Sequence, residues 1–216
     1  MKNKIGIIGS GIVGVTLANG FIQHGYEVMI GTNNSSKHEE LKTKTNNKAA
    51  VDSFTATAQF ANIIVLAVKG AVALEALQKI GNENLQNKTV IDATNPIAAM
   101  PPVNGVLQFT TSLNQSLMEE LQTALPHTNF VKAFNSVGNA FMVNPDFGGE
   151  KPTMFICGNN ELAKDEVKII LQEFGWDIED MGKAEAARAI EPLCILWCIP
   201  GMLHNSWNHA FRLLRK

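Results

Sequence analysis

Apolar positions along this chain fall into short continuous runs separated by stretches of helical period. Ile5-Gly6-Ile7-Ile8 is a mostly apolar run closed by Gly9, the pattern of a strand buried on both faces. From Val13 to Gln23, the residues Val13, Leu17 and Phe21 are spaced to share one helix face, and Gly25 is the stop. Glu27 to Ile30 predicts a second strand ended by Gly31, and Ile63 to Val68 a continuous apolar strand. Ala71 to Ile80 predicts a helix ended by Gly81, and Thr89 to Ala93 a strand ended by Asn95-Pro96. Strands alternating with helices imply parallel pairing through βαβ crossovers. The fold class expected is α/β, a doubly wound, mainly parallel sheet.

The second half is more irregular. Ala98 to Phe109 holds Pro101, Pro102 and Gly105 and predicts a loop. Ser112 to Leu125 predicts a helix, with Leu113, Leu117 and Leu121 four apart. Phe130 to Phe134 predicts a strand, and Val137 to Glu150 a long loop with one helical turn. Thr153 to Cys157 is a further strand, and Glu161 to Phe174 a helix capped by Asn159 or Asn160. Trp176 to Asp180 is expected as a last strand at an edge. Residues 1–182 are thus assigned to the sheet domain. Residues 183–216 form a C-terminal helical segment, expected to break at Pro192 and Pro200.

Composition narrows the class. The 216 residues are 45% hydrophobic and 18% charged, which fits a globular chain and not a disordered one. A net charge of -2 argues against a nucleic-acid partner. The longest apolar run, Leu193 to Leu203, is eleven residues, whereas a membrane helix needs about twenty. Met1 to Lys4 leads straight into the first strand, with no room for a signal peptide. Three cysteines give neither a disulfide framework nor a Cys-x-x-Cys pair. The expectation is a cytoplasmic protein with a small-molecule redox acceptor as partner, and no membrane partner.

One motif carries chemistry. Gly9-Ser10-Gly11-Ile12-Val13-Gly14 is a G-x-G-x-x-G that follows a predicted strand and opens a predicted helix. It sits in a βαβ unit of 27 residues, from Ile5 to Gly31, which is the context of a dinucleotide fingerprint. Gly9 makes the tight turn, Gly11 admits a pyrophosphate to the backbone, and Gly14 lets helix and strand pack closely. The free N–H groups of the helix N-terminus then face the phosphates. After the second strand an NAD site usually carries Asp or Glu for the ribose hydroxyls. Here the run is Gly31-Thr32-Asn33-Asn34-Ser35-Ser36-Lys37, with no acid until Glu39. Thr32 and Asn33 can hydrogen-bond a 2′-phosphate and Lys37 can supply its counter-charge, so NADP is favoured over NAD.

Other chemistries are missing. Tyr26 is the single tyrosine and has Ile30, not lysine, four residues on, which removes the short-chain dehydrogenase pair. The five histidines are scattered, and no metal site is expected. Cys194 and Cys198 suit core packing on an apolar helix, and Glu185, Arg188 and Glu191 suit an ion-pair stripe on a helix face. Trp197, Met202, Leu203 and Trp207 in the tail leave two readings, a homodimer contact or packing against the chain's own sheet.

The glycine motif, Ile30-Gly31-Thr32, Asn95-Pro96, Val131-Lys132-Ala133-Phe134-Asn135, Cys157-Gly158 and Asp180-Met181-Gly182 occur in this order. That order resembles the NADPH-dependent reductases of the deazaflavin coenzyme F-420. It is also similar to the cytosolic NADPH domain of the six-transmembrane epithelial antigen of prostate metalloreductases. The resemblance implies a Rossmann domain with a small helical C-terminal part, NADPH along the glycine turn, and a flavin or deazaflavin ring beside the nicotinamide. It implies that Ser10, Gly11, Ile12 and Val13 take the pyrophosphate, and Thr32 and Asn33 the 2′-phosphate. Ala67, Val68 and Lys69 would border the nucleotide. Asn95, with Pro96 beside it, and Ala133 would border ribose and nicotinamide. The family often has Ser-Arg where this chain has Thr32-Asn33, which leaves the missing cation to Lys37. No haem relay is expected without membrane helices.

The function expected is an NADP-dependent oxidoreductase that passes hydride between NADP(H) and FMN, FAD or coenzyme F-420. No catalytic side chain is singled out, because hydride transfer between two bound rings depends chiefly on alignment. Lys132 and Asn135 are the nearest polar residues, expected to orient the ring or cap the strand. A non-catalytic NADPH-binding redox sensor is the alternative. An imine reductase is disfavoured, because 34 residues after Gly182 are too few for that family's helical dimerisation domain.

Overall fold

In the computed structural model, which describes residues 3–216, eight strands form one sheet with helices on both faces. The strands are β1 (Lys4–Ile8), β2 (Glu27–Gly31), β3 (Ala49–Asp52), β4 (Ile63–Leu66), β5 (Thr89–Asp92), β6 (Asn129–Lys132), β7 (Thr153–Gly158) and β8 (Asp177–Asp180). Their order is β3-β2-β1-β4-β5-β6-β7-β8. All neighbours run parallel except β6 and β7. The helices are α1 (Ile12–Gln23), α2 (His38–Lys44), α3 (Phe54–Phe60), α4 (Ala73–Ile80), α5 (Asn82–Leu85), α6 (Leu117–Ala124), α7 (Glu161–Glu173), α8 (Ala187–Ile190) and α9 (Leu193–His204). This is a Rossmann-type doubly wound architecture: the apolar runs predicted its parallel strands and crossovers, and the resemblance implied the Rossmann form.

The continuity of those runs follows from burial on both faces. Ile5 and Ile7 pack into one cluster with Leu17 and Phe21 of α1 and Val167 of α7. Ile8 and Leu66 turn the other way, against Ala58 of α3, Leu77 of α4 and Leu121 of α6. Alternation with period two sends successive side chains to opposite faces, so both must be apolar. Strand order reverses where β1 lies beside β4, and a crevice at the carboxyl ends of the strands opens at such a switch point.

Several expectations change. The sequence pattern predicts no element over residues 38–62, yet they form α2, β3 and α3. Their strand, Ala-Ala-Val-Asp at the sheet edge, has too little apolar content to stand out. The helix expected from Ser112 starts at Leu117, because Ser116 and Glu119 form a capping box that fixes the start there. Leu113 is left exposed in the preceding turn. The loop after β5 is pinned by two isolated bridges, Ile97 to Phe109 and Val103 to Val106.

The tail differs most. Pro192 sits at the N-cap of α9, where no N–H is required, and Pro200 lies inside that helix without ending it. Helical and turn residues from Ala184 to His204 make one run of 21 residues, in which an 18-residue stretch has mean hydropathy 1.4, long and apolar enough by length and composition alone to cross a bilayer. In this fold Ala187, Ile190, Cys194 and Trp197 of that run are buried within the chain. Beyond His204 the tail is not helical: Asn205 adopts a left-handed conformation at φ 52° and ends α9. The chain then folds back, with Trp207 and His209 against Trp197 at ring distances of 5.6 and 5.0 Å. Phe211 accepts a hydrogen bond from Thr153 N at the start of β7. Trp197 and Trp207 are thus satisfied within the chain, while Met202 and Leu203 remain exposed.

Candidate functional site

The carboxyl ends of β1, β4 and β5 meet at the switch point, and the glycine motif turns there. Gly9 has φ +131°, a conformation costly for any side chain, and an added Cβ would lie 2.3 Å from the Ala67 carbonyl oxygen. Gly14 is buried in α1, where a Cβ would lie 2.2 Å from the Gly9 carbonyl oxygen. Both glycines are required by the fold itself. Gly11 is different: its φ is -80°, and no heavy atom lies within 4 Å of where a Cβ would stand. No contact within the chain asks for glycine there. Gly11 is also the N-cap of α1, with no side-chain cap hydrogen bond and no acidic residue in the first turn. The unpaired N–H groups of that turn form an anion-accepting surface. Exposed Ile12 (69%) flanks it. An open space over bare backbone N–H groups fits a pyrophosphate.

Beside it, Thr32 follows β2. Its hydroxyl donates to Ser10 Oγ at 3.2 Å and accepts from Asn34 N, which ties the second-strand loop to the glycine turn. Thr32 is buried, whereas Asn33 is exposed. Lys37, half-buried, ends a 3-10 turn over Ser35–Lys37 whose start is capped by the Asn34 side chain. The structure thus brings Ser10, Thr32 and Asn33 to one end of the crevice, with Lys37 on the same loop.

At the other end lies a cleft of about 360 Å³, lined by Val68, Lys69, Gly70, Thr94, Asn95 and Ile97 together with alanines 71, 93, 98 and 99. Lys69 is the one charged side chain in that lining. Ala67 is half-buried where β4 meets β1, its N–H bonded to Ile8 O. Pro96 is buried, and its carbonyl accepts from Thr110 N. Ala133 is fully buried and is not among the residues that line this cleft. It follows β6, and its N–H bonds Asp92 O. The chain then turns sharply, because Phe134 stands at φ +63°, an uncommon conformation for a bulky residue. Burial against Phe174 and a hydrogen bond from Phe134 N to Met154 Sδ hold it there. The turn sends Asn135 back to Asn95: Asn95 Nδ2 donates to Asn135 O at 2.8 Å, and Asn135 Nδ2 to Asn95 Oδ1 at 3.2 Å. Asn135 Oδ1 is buried without a protein partner.

Beneath the cleft lies a charged group that sequence reasoning did not assemble. Lys132 is fully buried, with Nζ 2.7 Å from Asp92 Oδ2 and 2.8 Å from Glu191 Oε1. Burial alone would depress the lysine, but the two carboxylates outweigh it and hold Lys132 above the ordinary lysine range. Lys132 is thus an ammonium shut off from solvent at neutral pH. Glu191 is therefore no member of a surface stripe. Arg188 of that expected stripe instead pairs with Glu119, at 2.6 Å from Nη2 to Oε1. The signal was present, since Asp92 and Lys132 each close an apolar run, and the two pair in register across β5 and β6. The other shared motifs serve the sheet. Gly158 N bonds Gly182 O, and Asp180 Oδ1 accepts from Gly182 N and Lys164 Nζ. Among the described residues no group of three or more His, Cys, Asp or Glu could hold a metal.

Comparison with known proteins agrees with this geometry. Residues 4–96 match the family model for NADP oxidoreductase, coenzyme F420-dependent. Rat metalloreductase STEAP3 is 26% identical over 205 residues, which cover 93% of this chain and 39% of that protein. The chain therefore spans about two fifths of that relative's length. A crystal structure of a candidate F420-dependent NADP reductase from Arthrobacter sp. FB24 superposes with TM-score 0.91 and 29% identity, covering 99% of this chain and all of that one. The imine reductase of Myxococcus stipitatus, in complex with NADP+, shares the fold at TM-score 0.66 and 16% identity, over 89% of this chain and 60% of that one. The resemblance read from the motifs therefore holds: residues 4–96 are similar to the coenzyme F420-dependent NADP oxidoreductases, and nearly the whole chain is similar to the Arthrobacter protein and to part of STEAP3.

Proposed function

We propose that this chain binds NADP(H) across the crevice and moves hydride between it and a flavin or deazaflavin ring. The observation that carries the reading is Gly11, a glycine the fold does not need, set over the open N-terminus of α1. Ser10, Gly11, Ile12 and Val13 would hold the pyrophosphate. Thr32 and Asn33 would hold the 2′-phosphate, with Lys37 as counter-charge. Val68, Lys69 and Asn95 would border the nicotinamide half. When bound, the dinucleotide supplies the hydride donor.

What the chain's own residues do is align and exclude. A carbonyl or imine acceptor gains a proton as it takes hydride and calls for a positioned acid. The cleft offers alanines, two polar side chains and Lys69, while Lys132 is sealed beneath it. A flavin-like ring delocalises the added charge and can take its proton from water. The Arthrobacter relative, a candidate F420-dependent NADP reductase, supports the same acceptor class.

The test is stopped-flow oxidation of NADPH by the full chain against FMN, FAD and coenzyme F-420. Rapid oxidation by at least one ring acceptor, with little variation between about pH 6 and 8, is the expected result. Reduction of a carbonyl or imine but of no ring would overturn the acceptor class. Tight NADPH binding without turnover would replace the enzyme with a sensor.

A further inference from the structure

Asp92, Lys132 and Glu191 bury three formal charges at one point of the sheet. Clusters of this kind are often replaceable by apolar side chains with no loss of stability, so stability alone is a weak reason for one. Two of its members, Asp92 and Lys132, converge on Thr94. Lys132 Nζ donates to Thr94 O at 3.0 Å. Asp92 Oδ1 accepts from Thr94 N at 2.9 Å and from Thr94 Oγ1 at 2.6 Å. Every polar group of Thr94 is thereby fixed to the cluster, and Thr94 lines the cleft.

Glu191 ties this point to distant elements. Its oxygens accept from Leu117 N and Met118 N, each at 3.0 Å, in the first turn of α6. Those N–H groups meet the second carboxylate of a cluster that has only one ammonium. Ile190, its chain neighbour, accepts from Asn135 Nδ2 at 2.9 Å, and Asn135 in turn holds Asn95. Residues 190 and 191 therefore hold the adjacent wall residues 94 and 95 by separate routes.

We propose that Asp92, Lys132 and Glu191 are positioning residues for the nicotinamide half of the cleft. They fix the Thr94–Asn95 wall and make its placement depend on the C-terminal segment. The inference rests on the dinucleotide reading above. It predicts that disturbing the cluster loosens the nicotinamide half of the ligand and leaves the adenosine half alone.

The test uses the full chain, Glu191→Gln and Asp92→Asn, each of which removes a charge and keeps the side-chain shape. Calorimetry gives Kd for NADPH and for 2′,5′-ADP, which carries the adenosine half only. Fluorescence of bound NADPH reports the surroundings of the reduced nicotinamide. In either variant that folds, the Kd for 2′,5′-ADP should stay within about twofold of the parent, that for NADPH should weaken about tenfold, and bound emission should move toward that of free NADPH. Parent-like NADPH affinity and emission in a folded variant of lowered Tm would overturn the inference and leave a merely structural cluster. If the parent binds neither ligand, the dinucleotide reading fails and takes this inference with it. Parent binding of both ligands keeps the two failures apart.

Discussion

Gly11 and Lys132 stand at the two ends of one crevice and are built on opposite principles. Around Gly11 the site consists of bare backbone, with side chains absent where a ligand would come and donors left unpaired. Around Lys132 the charged side chains are buried, and the donors are spent within the chain. The first end is local, a strand, a turn and a helix start within a few residues. The second joins residues 92, 132 and 191 from two strands and the C-terminal segment. A site made of backbone tolerates little substitution in place, whereas a site held from beneath can be disturbed from far along the chain.

The largest effect should come from cutting the buried end. Lys132→Met leaves two carboxylates facing an apolar stem, and removal of one partner from a buried pair typically costs about 3–5 kcal/mol. Chemical denaturation should show that loss, and an unchanged midpoint would contradict the pairing. The same ammonium sets a pH dependence. Lys132 titrates above the ordinary value of 10.5, so the stability it contributes is complete below that value and is lost as pH rises through its higher folded value. Unfolding curves of parent and Lys132→Met should therefore run parallel from neutral pH to about pH 10 and converge above it.

At the backbone end, Gly14→Val should cost about 1–3 kcal/mol or more, because its Cβ would sit 2.2 Å from a carbonyl oxygen that cannot move without reshaping the turn. A variant as stable as the parent would show that α1 and the turn are loosely joined. A smaller change is expected at Lys37. A charge-assisted hydrogen bond contributes about 1.5–3 kcal/mol and less on an open loop, so Lys37→Ala should narrow the preference for NADPH over NADH roughly tenfold. Equal dissociation constants for the two nucleotides in the parent would remove the 2′-phosphate assignment.

The smallest effect concerns the thiols. Burial pushes Cys157 up to about 12. The hydrogen bond with Cys198 and burial raise Cys194, whereas half-buried Cys198 is lowered by the hydrogen bond it shares with Cys194. With a thiol reagent at pH 8, Cys198 should be the first labelled, and equal labelling of Cys157 would mean that the face covered by α6 opens.

The contrast between the two ends also explains what could be read in advance. Runs such as Ile5–Ile8 and Ile63–Leu66 announce a doubly covered parallel sheet because burial on both faces forbids polar alternation. The roles of Gly9 and Gly14 were legible because their neighbours are a few residues away. β3 was not, since a short edge strand needs little apolar content. The continuity of α9 through Pro200 was not, since Leu196, whose carbonyl loses its helical partner there, is exposed to water. Glu191 looked like surface because its helix pattern is polar there. Only the fold reveals that α6 presents its N-terminus, and β6 its lysine, to that carboxylate.

The central claim is that the space over Gly11 belongs to a dinucleotide. Titration of NADPH by calorimetry into the parent and into Gly11→Val tests it directly, with thermal unfolding of both as the control. The account predicts a stability change within about 1 kcal/mol, since a Cβ at this position has no heavy atom within 4 Å, together with loss of measurable NADPH binding. A folded Gly11→Val that binds NADPH as the parent does would contradict it.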